Sequence, residues 1–198
     1  MANPISRAFK GAGTKVTNDS GSAAVEFVLV VPFLFVVFWS IAYAFDLVML
    51  RNKMAATADA IAAAAAMDSN ITDDEMAAIF KAGAALLEPA ASGAVLKLTS
   101  VVPSGTKRVV AWSDAVGGSA DKAGATFTFP TGVAASFGAE DDKSVLVATV
   151  TVSYTSAAAK VLGALSSAVK FPTSKHSFSE QSFALPIGVG DRRWIGRS

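Results

Sequence analysis

Few side chains in this sequence are equipped for chemistry. The 198 residues include no cysteine and one histidine, His176. Disulfides, thiolate zinc sites, iron–sulfur clusters, cysteine nucleophiles and multi-histidine metal sites are thereby excluded, whereas the redox compartment stays open. His176 follows Phe171-Pro172-Thr173-Ser174-Lys175, a turn-like setting that reads as a solvated loop rather than the seat of a general base. No Gly-x-Ser-x-Gly elbow presents a serine. Gly11-Ala12-Gly13 and Gly188-Val189-Gly190 lack the third glycine and the strand-turn-helix context of a dinucleotide loop, and no Walker A sequence is present. Any ATP-driven step would therefore belong to a partner. Glu140-Asp141-Asp142 reads as an acidic hairpin turn before it reads as a cation site. No catalytic residue, cofactor or metal is expected. One residue remains conspicuous. Glu26 is a carboxylate at the head of a long apolar run, a costly position unless it stays at an interface or meets a cation. It reads either as a first-turn acid on a helix dipole or as half of a charge pair.

The run that must position Glu26 is residues 27–45, nineteen residues without a charge, of which only Pro32 and Ser40 are not apolar. At 1.5 Å per residue a helix of this length covers about 28 Å, the thickness of a bilayer's hydrocarbon layer. It is a transmembrane helix candidate, with Trp39 and Tyr43 near its C-terminal end as an aromatic belt. Composition agrees: 52% hydrophobic with 17% charged residues departs from the roughly 25% charged of ordinary soluble domains. The competing reading is a secretory signal peptide, with Arg7, Lys10 and Lys15 as its basic region and cleavage after Ala44. Against it, the run exceeds the usual ~7 to 15 residues and helical character continues through the cut. Three basic residues before the span against Arg51 and Lys53 after it favour an N-terminus inside. The net charge of +1 supplies no basic excess for counterion release, so nucleic acid is not an expected partner.

Beyond the span, Leu47, Leu50, Met54, Ala58, Ile61 and Ala65 recur at spacings of three and four, predicting one helix through residues 22–67 with a stripe that packs on the chain's own domain in preference to another subunit. Pro32 withholds one hydrogen bond near Val28, which membrane helices tolerate. Thr72-Asp73-Asp74-Glu75 reads as a capping box opening a second helix to about Leu87, stopped by Pro89. The same box explains Asn70-Ile71-Thr72 better than glycosylation does. After residue 93 the period becomes two. Leu96, Leu98 and Val102 mark one face of a strand, with residues 108–113 its partner across a Pro103-Ser104-Gly105 turn. Residues 144–155 are apolar on both faces and predict a central strand. A short strand at 126–129, a helix at 157–170 and a last strand at 177–185 complete the expectation. The tail Asp191-Arg192-Arg193-Trp194 with Arg197 reads as a frayed, solvated terminus. The expected fold is α+β: a long N-terminal transmembrane and stalk helix, then a small, mostly antiparallel sheet domain with one or two extra helices. Its divisions are a basic cytoplasmic leader at 1–21, the membrane and stalk helix at 22–67, and an exported domain at 68–198.

Gly21-Ser22-Ala23-Ala24-Val25-Glu26, with glutamate fifth after the glycine, resembles a type IV pilin-like leader site. The longer stretch through Phe27-Val28-Leu29-Val30-Val31-Pro32 resembles the opening of the TadE/TadG-like family of tight-adherence (Flp) pilus assembly proteins. The family's Glu-Phe pair falls on Glu26 and Phe27 and its proline on Pro32; Phe45-Asp46 closes the span, and an alanine-rich stretch follows from Ala55 to Ala66. Val28 stands where alanine is usual. The resemblance covers about residues 20–67 and implies a minor pseudopilin of the bacterial envelope, structural rather than enzymatic. The pilin-like leader pattern makes Gly21-Ser22 a candidate prepilin-peptidase site, of a kind that is cut in some family members and not in others; register is expected from Glu26, and membrane-helix packing from Phe27, Pro32, Phe35, Phe38 and Trp39. The implied partners are other pilin-like subunits, pilus assembly proteins and membrane lipid, at the inner membrane, with the C-terminal domain in the periplasm.

Overall fold

The computed structural model describes residues 19–68, 70–90, 93–130, 133, 143–154, 176–186 and 196–197, with side chains from residue 25 onward except at 176, 196 and 197. Helix α1 runs unbroken over Asp19–Ala66, 48 residues with Pro32 inside it. Its length is about 72 Å at 1.5 Å per residue. After the two-residue strand β1 (Asn70–Ile71) comes α2 (Asp73–Leu86). The capping box is formed: the Thr72 N–H donates to Glu75 Oε2 at 2.8 Å, and the Glu75 N–H donates to Thr72 Oγ1 at 3.3 Å. Two otherwise orphaned donors are thus satisfied at the helix start.

The strands β2 (Ala94–Ser104), β3 (Lys107–Val116), β4 (Thr126–Phe127), β5 (Val145–Tyr154) and β6 (His176–Ala184) make one curled antiparallel sheet in the order β4-β3-β2-β5-β6. β5 lies between β2 and β6, as its two apolar faces predict. On one face Leu96, Leu98, Leu146, Ala148, Val150 and Val152 form a continuous core with the α1 stripe and α2. On the other, Val101, Val145 and Val147 pack with Phe127, Phe129, Phe183 and Leu185. The α1 stripe from Leu50 through Met54, Ala58 and Ile61 to Ala65 is buried against the domain, as its spacing predicts. Its alanines let the helix lie close to β5 and β6, its neighbours in the sheet.

Three local expectations are corrected. The β2–β3 turn is Gly105-Thr106, with Gly105 at φ 60, and Pro103 belongs to β2 opposite Arg108. Proline is tolerated there because the β2–β5 pairing ends at Val101, so no ladder on that side needs its missing N–H. His176 is not in a loop; it is the first residue of β6, held opposite Tyr154 by the β5–β6 ladder. The end of the tail is not frayed: β7 (Gly196–Arg197) pairs in parallel with β1, Ile71 opposite Arg197, each edge satisfying the other's backbone groups. The expected helix at 157–170, the acidic turn at 140–142 and Asp191 to Trp194 lie outside the described residues.

Candidate membrane span and helix junction

α1 divides into two halves of opposite environment. Its most apolar window has none of its residues buried, and one helix long and apolar enough to cross a membrane is present among the described residues. Phe27 is 69% exposed and Phe38 65%, whereas Met54 and Ala58, on the same helix, are at 0%. The change falls at Leu50, the first buried residue of the stripe.

Gly21 and Ser22 both lie within the first turn of α1, so the two are backbone-continuous with the helix that carries Glu26. Ser22 and Glu26 are four positions apart, about 6 Å of helix rise. Glu26 is exposed. Pro32 is accommodated without interrupting the helix. Phe35, Phe38 and Trp39 form an aromatic group: the Trp39 ring centroid lies 5.8 Å from Phe35, tilted by 60°, and 6.0 Å from Phe38, nearly edge-on at 81°. Such offset geometries suit the ring quadrupoles. Trp39 Nε1 is shielded from the surface and has no hydrogen-bond partner among the described residues. The Ser40 hydroxyl donates back to the Val36 carbonyl at 2.7 Å, so its polar group is met inside the helix.

Just past the apolar half, three remote parts of the chain converge on α1. The Arg51 guanidinium sits 5.3 Å from the centroid of the Phe178 ring in β6. Lys53 Nζ donates to the Glu88 carbonyl at 2.9 Å. The turn after α2 contributes Pro89 and Ala90, and the end of β5 contributes Tyr154. The sequence marks Arg51 and Lys53 only as charges counted for orientation. Their partners are distant along the chain, Glu88 lying 35 positions from Lys53, and no local pattern announces them.

Residues 21–63 match the family model described as TadE-like protein. The chain carries a TadE-like domain. The match opens at Gly21, takes in Glu26 and Pro32, and ends inside the buried stripe, so this domain includes both halves of α1. TadE-like proteins are a structural pilus-assembly family rather than an enzyme family. No curated protein and no solved structure matches the chain. No group of three or more metal-ligating side chains occurs among the described residues. The long apolar TadE-like helix is consistent with a single membrane span or with a signal sequence.

Proposed function

We propose that this chain is a single-pass inner-membrane protein acting as a pilin-like minor pseudopilin in assembly of a tight-adherence pilus. The observation that carries this reading is that the TadE-like match coincides with a helix whose first half is apolar and unaccompanied and whose second half anchors a folded domain. In this reading residues 1–21 are a cytoplasmic leader, removed by a prepilin peptidase between Gly21 and Ser22, and the domain lies in the periplasm. The new Ser22 ammonium and the Glu26 carboxylate then sit about one helical turn apart. Within a subunit they pair. In an assembly Glu26 neutralises a neighbour's ammonium, and because neither charge is tolerated alone in hydrocarbon, this requirement sets the axial register. Phe27, Pro32, Phe35, Phe38 and Trp39 supply the lateral helix contacts with other pilin-like subunits, and the domain meets pilus assembly proteins. Nucleic acid has no part in it.

The test is the mature N-terminus, read by sequencing or intact mass. A start at Ser22 supports the pilin-like reading. A start at Phe45 overturns it in favour of a secreted domain released from a signal peptide after Ala44. An uncut chain removes the Ser22 ammonium, and with it the proposed pairing. Glu26→Ala is then expected to lose association with assembly partners while keeping membrane insertion; unchanged association refutes the register role.

A further inference from the structure

At the junction of α1 with the sheet domain, Asp46, Met49, Leu50, Lys53, Pro89 and Tyr154 line a cleft of about 200 Å³. We infer that it seats the headgroup of a zwitterionic, ethanolamine-type phospholipid from the leaflet in which the span ends, an inference that rests on the membrane-span reading of α1.

Position comes first. Asp46 directly follows the last residue of the apolar run, so it stands at the hydrocarbon edge. Lys53 is seven residues further, about 10 Å along the axis, whereas the headgroup layer is roughly 5 to 8 Å deep. A helical lysine leans toward the N-terminus, and its long stem carries the ammonium back into that layer. The cleft therefore spans the depth at which phosphates lie. Chemistry comes second. A lysine ammonium has three donors, and one is taken by the Glu88 carbonyl, a bond that fixes the group at the rim. The others suit a phosphate oxygen in a charge-assisted bond. Asp46 puts one carboxylate on the same rim, which complements a headgroup ammonium and disfavours a headgroup of net negative charge. Met49, Leu50 and Pro89 give the apolar wall on which glycerol and first acyl carbons rest.

The full chain is reconstituted in nanodiscs of equal parts phosphatidylethanolamine and phosphatidylglycerol, and co-retained lipid is identified by native mass spectrometry. Wild type is expected to hold one phosphatidylethanolamine, enriched about tenfold over phosphatidylglycerol, the scale of one charge-assisted hydrogen bond. Asp46→Asn abolishes that enrichment; Lys53→Met, which loses the phosphate contact common to both lipids, lowers the retention of both, and Lys53→Arg, which keeps the cation, restores it. In parallel, quenching of Trp39 by lipids brominated near the headgroup end of the acyl chain, the depth of an interfacial tryptophan, is measured in a chain carrying Trp112→Phe and Trp194→Phe. If Trp39 is quenched but Asp46→Asn still enriches phosphatidylethanolamine, or Lys53→Met retains as much lipid as wild type, or both lipids are retained equally by wild type, the cleft assignment alone is overturned. If Trp39 is not quenched, the span reading fails and takes this inference with it.

Discussion

One isoleucine-to-alanine change, made at two places on the same helix, separates the two environments of α1. Ile61 is 2% exposed and Ile41 is 65% exposed. Ile61→Ala removes three carbons, about 2.4 kcal/mol at roughly 0.8 kcal/mol per buried methylene-sized group. A cavity adds to this, because Ile61 fills the space that Gly83 of α2 leaves open: a Cβ built on Gly83 would meet Ile61 Cδ1 at 2.7 Å and Cγ1 at 3.0 Å. Alanine's better helix propensity returns a few tenths of a kcal/mol at either site. The expected net loss at position 61 is about 3 kcal/mol, within the roughly 2 to 5 kcal/mol seen for such truncations. At about 3 °C per kcal/mol for a domain of this size, Tm should fall by about 10 °C. Ile41→Ala touches no part of the domain core and should shift Tm by less than about 1 °C, by the same conversion. Both variants are melted in the same detergent, following the fluorescence of Trp112, which packs against the core. Equal shifts at the two sites would refute the division of α1 at Leu50. A loss of under about 1 kcal/mol at position 61 would show that the stripe does not anchor the domain.

Two further changes test the local devices of the fold. Thr72→Ala removes the hydroxyl that accepts from the Glu75 N–H and donates to Glu75 Oε2, while the backbone N–H of residue 72 keeps its bond to that carboxylate, so a loss of about 1 kcal/mol in chemical denaturation is expected. Thr72→Ser should restore most of it; an alanine variant as stable as wild type would show the box to be energetically idle. Gly117 has φ +80, and a Cβ there would stand 2.4 Å from the Ala94 carbonyl oxygen. Gly117→Ala therefore adds left-handed strain of about 1 to 2 kcal/mol to a clash with fixed backbone, and the denaturation midpoint should drop by more than it does for Thr72→Ala.

Much of the fold was legible because its signals are local. The capping box is four consecutive residues whose groups meet within one turn. The α1 stripe is a spacing of three and four, and the central place of β5 follows from Val145 to Tyr154 being apolar on both faces. Turn and terminus assignments went astray where pairing outweighed residue preference. Pro103, a turn former, is held in β2 by the hairpin register, and His176, preceded by a turn-like stretch, is drawn into β6 by its ladder with β5. The pairing of Arg197 with Ile71 joins residues more than a hundred positions apart, which no spacing rule reaches.

The candidate site divides in the same way. Gly21, Ser22, Glu26 and the apolar residues 27–45 follow one another along a helix, and a helix's geometry is set by its own sequence, so their order and spacing on α1 were determined by the sequence alone. The junction was decided only in three dimensions. Asp46 and Lys53 lie two turns apart on α1, and what surrounds them comes from the α2–β2 turn, from Tyr154 at the end of β5 and from Phe178 in β6. Those elements arrive there because burying the stripe from Leu50 to Ala65 fixes where α1 crosses the sheet. The sequence states that the stripe is apolar. Which strands and which turn it meets depends on the strand order β4-β3-β2-β5-β6, a product of long-range pairing that no local pattern encodes.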